Sequence, residues 1–232
     1  MESGLTQSLL PAEMRVRLAE ILPAGRLVLF APREKLFSEG EPSDHIAILL
    51  VGVVKITAST ANGREALLGL RGAGEIVGEI AALYGSPRSA TVRALDQVTA
   101  RLVPASAFVS GLRRHPDALF GLLHAVVGRL RESDRRRLEF AGSDVRERVA
   151  RLLAELAGTH GEHAADGSVT IGLPLSQSEI AGATGASREA VAKALRTLRT
   201  CGAVATSRQR ITVLDRGRLM RICTQTTQPD RR

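Results

Sequence analysis

The spacing of apolar residues changes along this chain, and each change marks a different kind of element. From Leu27 to about residue 104, short apolar runs alternate with polar positions at a period of two, which is typical of half-buried β-strands. The pair Asn62-Gly63 lies between two runs and predicts a hairpin, because both residues accept a positive φ. Many short strands separated by glycine and proline predict an antiparallel barrel or sandwich.

Helical spacing surrounds this β region on both sides. Residues 1–24 carry a modest apolar stripe and predict a short helical lead-in, whereas a longer helix is expected after Pro104. Its apolar stripe alternates steps of four and three, the spacing of a coiled-coil seam: Leu119, Leu123, Val126 and Leu130. The stripe either packs on its own barrel or pairs with the same helix of a second copy, and we favour a homodimer. Residues 141–144, AGSD, predict a hinge before the next helix.

The stretch from Leu175 to Thr200 predicts two short helices joined by a tight turn. Ser176 and Glu179 have the spacing of a capping box. Gly185 tolerates the left-handed backbone of a turn, and Ser187 can cap the second helix. The second helix has an apolar inward stripe, formed by Val191, Ala194, Leu195 and Leu198. This layout favours a helix-turn-helix, whose second helix enters the DNA major groove, over an ordinary helical hairpin with a solvated basic face.

Further elements flank the predicted helix-turn-helix. A polar loop from Gly158 to Ser168 and a short strand, VTIGL, precede it. The runs AVATS and ITVLD flank Arg208-Gln209-Arg210 and predict a hairpin of the kind that contacts phosphates as a wing. The polar tail from Thr224 is predicted to be disordered.

Composition and charge narrow the possible functions. The net charge is +8, and Thr170 to Arg221 contain nine Lys or Arg against three Asp or Glu. A basic region attracts polyanions through counterion release, so nucleic acid is the expected partner. A membrane-spanning helix needs about 20 apolar residues, and no apolar run approaches that length. No signal segment is evident either, so we expect no membrane association and a cytoplasmic location. Cys201 and Cys223 and the five histidines form no ligand pattern, so we expect no metal, haem or iron-sulfur cluster.

The segment GEIVGEIAALYGSPRSATV holds the other candidate chemistry. Gly78 opens a short helix whose free amides can bind an anion. Arg88 can clamp a phosphate, and the Ser89 hydroxyl with the amides of Ser89 and Ala90 would complete the cradle. Glu79 would repel a phosphate, but it fits if it accepts from a sugar hydroxyl and pairs with Arg88 when the site is empty. These residues predict either a nucleotide site or a structural ion pair between Glu79 and Arg88.

Two of these segments resemble a known family. GEIAALYGSPRSATV resembles the phosphate-binding cassette of cyclic-nucleotide-binding domains, and SQSEIAGATGASREAVAKAL resembles the helix-turn-helix of the cyclic-AMP receptor and fumarate-nitrate regulator (CRP/FNR) family. The resemblance extends from about residue 10 to 220 and implies an α+β fold. Its expected parts are an antiparallel β-barrel of the jelly-roll, cyclic-nucleotide-binding type (1–115), a dimerisation helix (116–141), a hinge (142–144), a winged helix-turn-helix DNA-binding domain (145–223) and a disordered tail (224–232).

The resemblance also implies a ligand, cyclic AMP, and the residues that bind it. Glu79 would bind the ribose 2′-hydroxyl, and Arg88 with Ser89 would bind the cyclic phosphate. Ser133 aligns with a hydroxyl that contacts adenine, and Asp134 stands where the family often has a second hydroxyl, reached from the partner subunit. A carboxylate there could accept from the adenine amino group or weaken binding. The implied contacts are Gly78, Glu79, Ile80, Ala81, Arg88, Ser89, Ala90, Ser133 and Asp134.

For DNA, the resemblance implies that Arg188 contacts guanine and that Glu189 accepts from cytosine. Lys193 stands where well-studied members carry a second arginine, and its lack of a planar fork predicts an altered preference at that base pair. The residues expected to contact phosphates are Gln177, Ser178, Ser187 and Arg208. The implied DNA-binding residues are Ser176, Gln177, Ser178, Ser187, Arg188, Glu189, Lys193 and Arg208.

Together these features predict a homodimeric transcription regulator in which cyclic AMP reorients the winged helices on operator DNA, with RNA polymerase as a further partner. The first alternative is the same DNA-binding regulator acting without a ligand or with another effector. An enzyme, such as a nucleotide hydrolase using Glu79, is not expected, because no metal set, nucleophile or second carboxylate accompanies that residue. A nucleotide-binding module that never contacts DNA is disfavoured by the basic winged region.

Overall fold

A computed structural model describes residues 25–60, 65–207 and 210–224. The chain separates into two compact units, with the division between Glu132 and Ser133. Among the helices within the described ranges, none has both the length and the apolar character needed to span a membrane. The predicted features that lie outside the described residues include the helical lead-in at 1–24, the Asn62-Gly63 turn, the wing residue Arg208 and residues 225–232 of the expected tail.

Two four-stranded antiparallel sheets build the first unit. One has the order β1 (Arg26–Phe30), β8 (Val98–Pro104), β3 (His45–Val51) and β6 (Ile76–Val77), and the other has the order β2 (Lys35–Phe37), β7 (Thr91–Ala94), β4 (Val54–Ser59) and β5 (Glu65–Arg71). The paired strands β4 and β5 flank the predicted hairpin turn. The predicted β domain is therefore a jelly-roll-like pair of sheets rather than a closed barrel.

A shared core explains how the two sheets pack. Phe30, Leu49 and Ala100 of the first sheet belong to the same buried cluster as Phe37 and Val92 of the second. Side chains alternate between the two faces of a strand, so every second residue can enter this core. The two sheets therefore pack face to face, with the predicted apolar alternation turned inward.

Three helices accompany the sheets: α1 (Glu79–Tyr84), α2 (Ala105–Arg114) and α3 (Pro116–Gly142), which continues past the division into the second unit. A second apolar cluster joins Ile46 and Ile76 to Phe108 of α2 and Leu122 of α3. The separate helix α2 was not predicted. Its end at Arg114 has a simple cause, because Pro116 lacks an amide hydrogen and is tolerated in the first turn of a helix but not in its interior.

The second unit has the remaining helices and a small antiparallel sheet. The helices are α4 (Val145–His160), α5 (Gln177–Thr184), α6 (Arg188–Thr200) and α7 (Arg216–Thr224). The sheet has the order β11 (Val204–Ser207), β12 (Arg210–Val213), β10 (Val169–Ile171) and β9 (Gly161–His163). The helices α5 and α6 form the predicted helix-turn-helix, and β11 and β12 form the predicted wing hairpin.

The helix break at the predicted hinge has a clear local cause. The helix α3 ends at Gly142, and Asp144 caps α4 through a capping box with Glu147. The Asp144 side chain accepts from the Glu147 amide at 2.8 Å, and the Glu147 carboxylate accepts from the Asp144 amide at 3.2 Å. Motion about this point stays a prediction.

In the second unit one prediction was wrong and one helix was not predicted. The loop expected from Gly158 to Ser168 is not a loop at its start, because α4 reaches His160 and β9 then pairs with β10. The sequence of β9, GEH, lacks the apolar alternation by which a strand is recognised. The helix α7 was not predicted and includes Thr224, the first residue of the expected disordered tail, whose other residues lie outside the described ranges.

Candidate functional site

The candidate ligand pocket begins at Gly78, which precedes α1. Its φ is 85°, in the left-handed region that glycine adopts most readily. A Cβ at this position would lie 2.5 Å from Nη1 of Arg88 and 3.0 Å from Cε2 of Phe37. Glycine is therefore required both for the backbone turn and for the close passage of the Arg88 side chain.

Arg88 is buried, with only 4% of its surface exposed. Its Nη2 donates to the His45 carbonyl oxygen at 2.6 Å, and its Nη1 donates to the Gly78 carbonyl oxygen at 3.2 Å. The guanidinium carbon lies 3.7 Å from the centroid of the Phe37 ring, in a cation–π contact. Burial lowers the pKa of Arg88, although the nearby carboxylates of Asp44, Glu41 and Glu79 oppose this shift. An arginine nevertheless stays charged at neutral pH, so the pocket holds a buried cation.

Glu79 is also buried and forms an ion pair with Arg129 of α3, whose Nη1 donates to Oε1 of Glu79. Nη2 of Arg129 additionally donates to the Ile76 carbonyl oxygen at 3.4 Å. The predicted ion pair between Glu79 and Arg88 is therefore wrong, because the Arg88 guanidinium is directed to the backbone carbonyls of His45 and Gly78. The carboxylate instead pairs with an arginine that reaches the pocket from α3.

A second buried carboxylate lies within reach of this charge pair. Burial raises the pKa of Glu75, while Arg71, the Gly72 amide and Arg129 oppose the shift and Glu79 adds to it. The Gly72 amide donates to Oε2 of Glu75 at 2.8 Å, and Nε of Arg71 lies 3.6 Å from Oε1. Arg129 thus interacts electrostatically with two buried carboxylates at once.

The other predicted ligand contacts differ in their exposure. Ala81 is buried, Ile80 and Ser89 are exposed, and Ala90 is half-buried. Ser133 and Asp134 are exposed on α3, in the other compact unit, and their contacts with a ligand stay predictions. The structure thus brings Gly78 into contact with Arg88, while Glu79 is tied to α3.

Arg129 was missed in the sequence, although a signal for it exists. The residues of α3 that pack inward are Ala118, Leu122 and Ala125, at steps of four and three. A further step of four reaches Arg129, which continues the buried stripe as a charged residue. A charge in a buried stripe requires a partner of opposite sign, so this position could have predicted a buried acid nearby.

The predicted caps of the helix-turn-helix are confirmed. The Glu179 amide donates to Oγ of Ser176 at 3.2 Å, and the Ser176 amide donates to Oε2 of Glu179 at 2.6 Å. Gly185 ends α5 with a φ of 58°, and the Ala190 amide donates to Oγ of Ser187 at 3.1 Å. Local hydrogen bonds therefore set the angle at which α6 leaves the turn.

The helix α6 buries one face and exposes the other. Its buried residues are those of the predicted inward stripe: Val191, Ala194, Leu195 and Leu198. The predicted base-contacting residues Arg188, Glu189 and Lys193 are all exposed. Four other predicted DNA-binding residues are exposed as well: Ser176, Gln177, Ser178 and Ser187. The arrangement offers a basic helix face of the kind that enters a major groove.

Comparison with known proteins identifies both units. Residues 27–115 match the cyclic nucleotide-binding domain family, and residues 147–222 match the Crp-like helix-turn-helix domain family. Over 219 residues, the chain is 30% identical to the CRP-like cAMP-activated global transcriptional regulator of Mycobacterium tuberculosis, covering 94% of this chain and 96% of that protein. The chain belongs to the CRP/FNR family. It is a DNA-binding transcription regulator with a cyclic nucleotide-binding domain.

Other similar proteins carry different names, and some of these names give other signals. The global nitrogen regulator of Synechocystis is 27% identical over 215 residues, covering 92% of this chain and 95% of that protein. A CRP-family regulator from Thermus thermophilus has a TM-score of 0.73 at 26% identity, covering 87% of this chain and 98% of that chain. The c-di-GMP responsive regulator CLP of Xanthomonas campestris shares the fold, with a TM-score of 0.75 at 22% identity and coverage of 86% and 99%. Membership of CRP/FNR therefore establishes DNA binding without identifying the signal.

Proposed function

We propose that this regulator is a homodimer whose binding to operator DNA is controlled by cyclic AMP. The observation that carries the ligand assignment is a pair of oppositely charged, buried side chains next to Gly78. Glu79 follows Gly78 in the chain, and Arg88 donates to the Gly78 carbonyl oxygen. The cation can bind a phosphate, and the carboxylate can accept a hydrogen bond from a ribose hydroxyl. One small ligand class, a nucleotide, carries both groups.

In the proposed complex, Arg88 binds the cyclic phosphate, assisted by the Ser89 hydroxyl and the amides of Ser89 and Ala90. Glu79 accepts from the ribose 2′-hydroxyl. Two of the five N–H groups of Arg88 donate to the carbonyls of Gly78 and His45, and the others can form charge-assisted hydrogen bonds to the phosphate. Gly78, Ile80 and Ala81 complete the segment around the ligand. Adenine is assigned to Ser133 and Asp134.

The ion pair between Glu79 and Arg129 supports a route from this pocket to α3. When Glu79 accepts from a ribose hydroxyl, its carboxylate shares or releases the hydrogen bond from Arg129. The contact that holds Arg129 of α3 at the pocket is thereby weakened. A ligand shifts a conformational equilibrium only as far as its affinities for the two states differ. A coupling of about 1–3 kcal/mol is usual and would suffice to favour one orientation about residues 142–144.

A second stripe on α3 supports the homodimer. Leu122 is 2% exposed and packs inward, but its neighbour Leu123 is 53% exposed. The exposed side chains are those of the predicted seam: Leu119, Leu123, Val126 and Leu130. An exposed apolar stripe at coiled-coil spacing is costly in water unless a partner covers it. We assign this stripe to a second copy of the chain, because two-fold pairing also matches two DNA half-sites about one helical turn apart.

On DNA, α6 is assigned to the major groove. Arg188 would donate to guanine, Glu189 would accept from cytosine, and Lys193 would contact the next base pair without the bidentate geometry of arginine. The phosphate contacts are assigned to Ser176, Gln177, Ser178, Ser187 and Arg208. A regulator of this kind acts where operator DNA and RNA polymerase are found, so we assign it to the cytoplasm with the polymerase as a partner.

Calorimetric titration of cyclic AMP into the purified full-length protein tests the ligand assignment, with the Arg88→Gln variant beside it. We expect saturable binding that Arg88→Gln abolishes, together with a change in operator affinity when cyclic AMP is added to the wild type. Cyclic GMP and c-di-GMP, titrated in parallel, distinguish cyclic AMP control from another effector. Absence of cyclic AMP binding would leave DNA binding in place and refute the proposed switch.

One observation favours the second candidate, a regulator that acts without a ligand or with another effector. Nη1 and Nη2 of Arg88 each donate to a backbone carbonyl of the chain, and Phe37 stacks on the guanidinium. A pocket with these internal contacts can be stable without a ligand. Operator binding that is tight and unchanged by every cyclic nucleotide tested would support this candidate.

A further inference from the structure

Four largely buried charged side chains lie next to the candidate ligand pocket in the first unit. They form two ion pairs, one of Arg71 with Glu75 and one of Arg129 with Glu79. The side chains of Glu75 and Glu79 are only 3% and 5% exposed. A buried charge is costly unless it keeps a partner of opposite sign. The proposed function uses Glu79 and Arg129 but gives Glu75 no role, although Glu75 is the more deeply buried acid.

The backbone around Glu75 holds this residue close to Arg129. Glu75 directly precedes β6, and the carbonyl oxygen of Ile76, the first residue of that strand, accepts from Nη2 of Arg129 at 3.4 Å. The Leu49 amide of β3 donates to the Glu75 carbonyl oxygen at 2.9 Å, and the Gly74 amide donates to the Leu49 carbonyl oxygen at 2.7 Å. Glu75 is therefore fixed at the end of β6 that Arg129 contacts.

The carboxylate of Glu75 can accept a further hydrogen bond. The Gly72 amide donates to its Oε2 at 2.8 Å, whereas Nε of Arg71 lies 3.6 Å from its Oε1, which is too long for a hydrogen bond. An ionised carboxylate has about four lone-pair sites. Burial raises the pKa of Glu75, and Arg129 is among the groups that oppose this shift, so the two side chains already attract each other.

The guanidinium of Arg129 has a donor that can serve such a bond. Its Nη1 donates to Oε1 of Glu79, and its Nη2 makes the long hydrogen bond to the Ile76 carbonyl oxygen. Its Nε is shielded from water, and within the described part of the chain no acceptor lies at hydrogen-bond distance from it. A buried donor without an acceptor is destabilising, so a second acidic partner beside the guanidinium would be favourable.

We infer that Glu75 is the second partner of Arg129 and receives its guanidinium when a ligand engages Glu79. This exchange rests on the proposed function, in which a ribose hydroxyl donates to Glu79. Without a ligand, Arg129 pairs with Glu79, and with a ligand it moves towards Glu75. The buried cation keeps an acidic partner in both states, so the release of Glu79 leaves no unpaired charge. Glu75 is a positioning residue and contacts no part of the ligand.

The first test needs no ligand, so its result does not depend on the ligand assignment. Glu79→Gln in the full-length protein removes the charge of the first partner of Arg129. We expect a crystal structure of this variant to show the Arg129 guanidinium hydrogen-bonded to the Glu75 carboxylate, at about 3 Å. A guanidinium that stays beside position 79, or that turns towards solvent, would overturn the inference.

Urea unfolding of the ligand-free proteins gives a second measurement. A double-mutant cycle of Glu75→Gln and Arg129→Gln yields the coupling between these two side chains. In the Glu79→Gln protein, Glu75 is the remaining acidic partner that we assign to Arg129. We therefore expect the coupling there to exceed that in the wild type by a factor of about ten in the unfolding equilibrium constant. An equal or smaller coupling would show that Glu75 does not replace Glu79.

Calorimetric titration of cyclic AMP tests whether ligand binding uses the exchange. In the full-length Glu75→Gln protein, affinity should fall by about tenfold, because Arg129 no longer has an acidic partner to receive it. The same change made in the Arg129→Gln protein should leave affinity unaltered, whereas a general effect on the fold would persist there. Glu65→Gln, at an exposed acid of β5, is the matched control and should bind cyclic AMP like the wild type.

The outcomes separate the exchange from the ligand assignment. If the wild type does not bind cyclic AMP, the ligand assignment fails, and the crystal structure and the coupling decide whether Glu75 is the second partner. If the wild type binds cyclic AMP and Glu75→Gln binds it equally tightly, ligand binding does not use the exchange and the inference is wrong. An equal loss of affinity with and without Arg129 would reduce Glu75 to a structural role and would also overturn it.

Discussion

The two sites of this molecule use arginine in opposite ways. In the pocket of the first unit, Arg88 is buried and donates to carbonyls of its own chain, and Arg129 pairs with Glu79. On the DNA-binding unit, Arg188 and Arg196 are exposed. A ligand of the pocket would approach arginines that already have hydrogen-bond partners within the chain. DNA would approach arginines that are exposed on the surface of the DNA-binding unit. Under the proposed function, the site that responds to a ligand is therefore the one whose charged groups already have partners within the chain.

The largest effect should come from disrupting the proposed homodimer. Leu123→Asp puts a charge into the exposed seam of α3, where pairing would bury it. Operator affinity should fall about 10²-fold or more, because the two half-sites no longer bind as one ligand. Sedimentation should show monomers. Leu27→Asp, a matched change at an exposed leucine of β1, should leave a dimer, and a dimeric Leu123→Asp protein would contradict the assignment.

The next effect concerns the pocket alone. Arg88→Gln should weaken cyclic AMP binding by about 10²-fold, because charge-assisted hydrogen bonds to phosphate are lost. It should also lower the free energy of unfolding by about 1–3 kcal/mol, since buried carbonyls lose a donor. Calorimetry and urea unfolding measure the two quantities.

Arg93→Gln is the control for this change, because Arg93 also donates to a backbone carbonyl, that of Arg33, but outside the pocket. It should bind cyclic AMP normally. Ligand-free operator affinity should be unchanged in Arg88→Gln, and a parallel loss of DNA binding would show that the two sites are not as separate as their charges indicate.

A smaller effect should appear in the coupling between the sites. Arg129→Gln removes the charge that ties Glu79 to α3, while the residues assigned to the ligand remain. We expect cyclic AMP to bind but to change operator affinity less than in the wild type, where a factor of about 5–150 would be usual. Arg131→Gln, an exposed neighbour on α3, is the control. Full coupling in Arg129→Gln would remove Arg129 from the route.

On the DNA side, Lys193→Arg restores the planar fork of a guanidinium. We expect discrimination at one base pair of each half-site to increase by about tenfold, because a bidentate contact distinguishes guanine better than an ammonium group does. Systematic binding-site selection with both proteins measures this. Identical preferences would mean that Lys193 does not contact a base.

The smallest effect should be a pH dependence of stability that originates in the pocket. Burial raises the pKa of Glu75, so the folded protein binds this proton more tightly than the unfolded chain. The stabilisation is present below the ordinary carboxyl pKa and is lost as the pH rises through the raised value. Glu75→Gln should flatten urea stability over that interval, whereas Glu65→Gln, an exposed change on β5, should not. An unchanged pH profile in Glu75→Gln would contradict this origin.

What could be predicted from the sequence depended on how far apart the interacting residues are. The capping box of Ser176 and Glu179 and the turn at Gly185 are local, so their spacing alone predicts their geometry. The partner of Glu79 could not be found in this way, because Arg129 lies fifty positions later and meets it only through packing of α3 on the sheet. The wrong pairing with Arg88 came from choosing a cation within the same segment of sequence, GEIVGEIAALYGSPRSATV.

Short elements were missed for a related reason. The strand β6 has two residues, and β2 has three, so neither offers enough positions to show a period. Their place in the sheets is set by neighbours: Ala47 pairs with Val77, and Lys35 pairs with Arg93. In both sheets of the first unit, the long strands are thus predictable from the sequence, whereas the short strands are determined by tertiary contacts.

The two adjacent stripes of α3 have a consequence for how the cellular concentration of the regulator affects its response. One helix carries Arg129, which holds the pocket, and the leucines assigned to the second subunit. Under the proposed function, assembly and ligand affinity are linked equilibria, so the concentration of the regulator would affect the ligand affinity of the pocket. A cell that makes few copies would respond to its signal over a different range from a cell that makes many, with no change in the sequence.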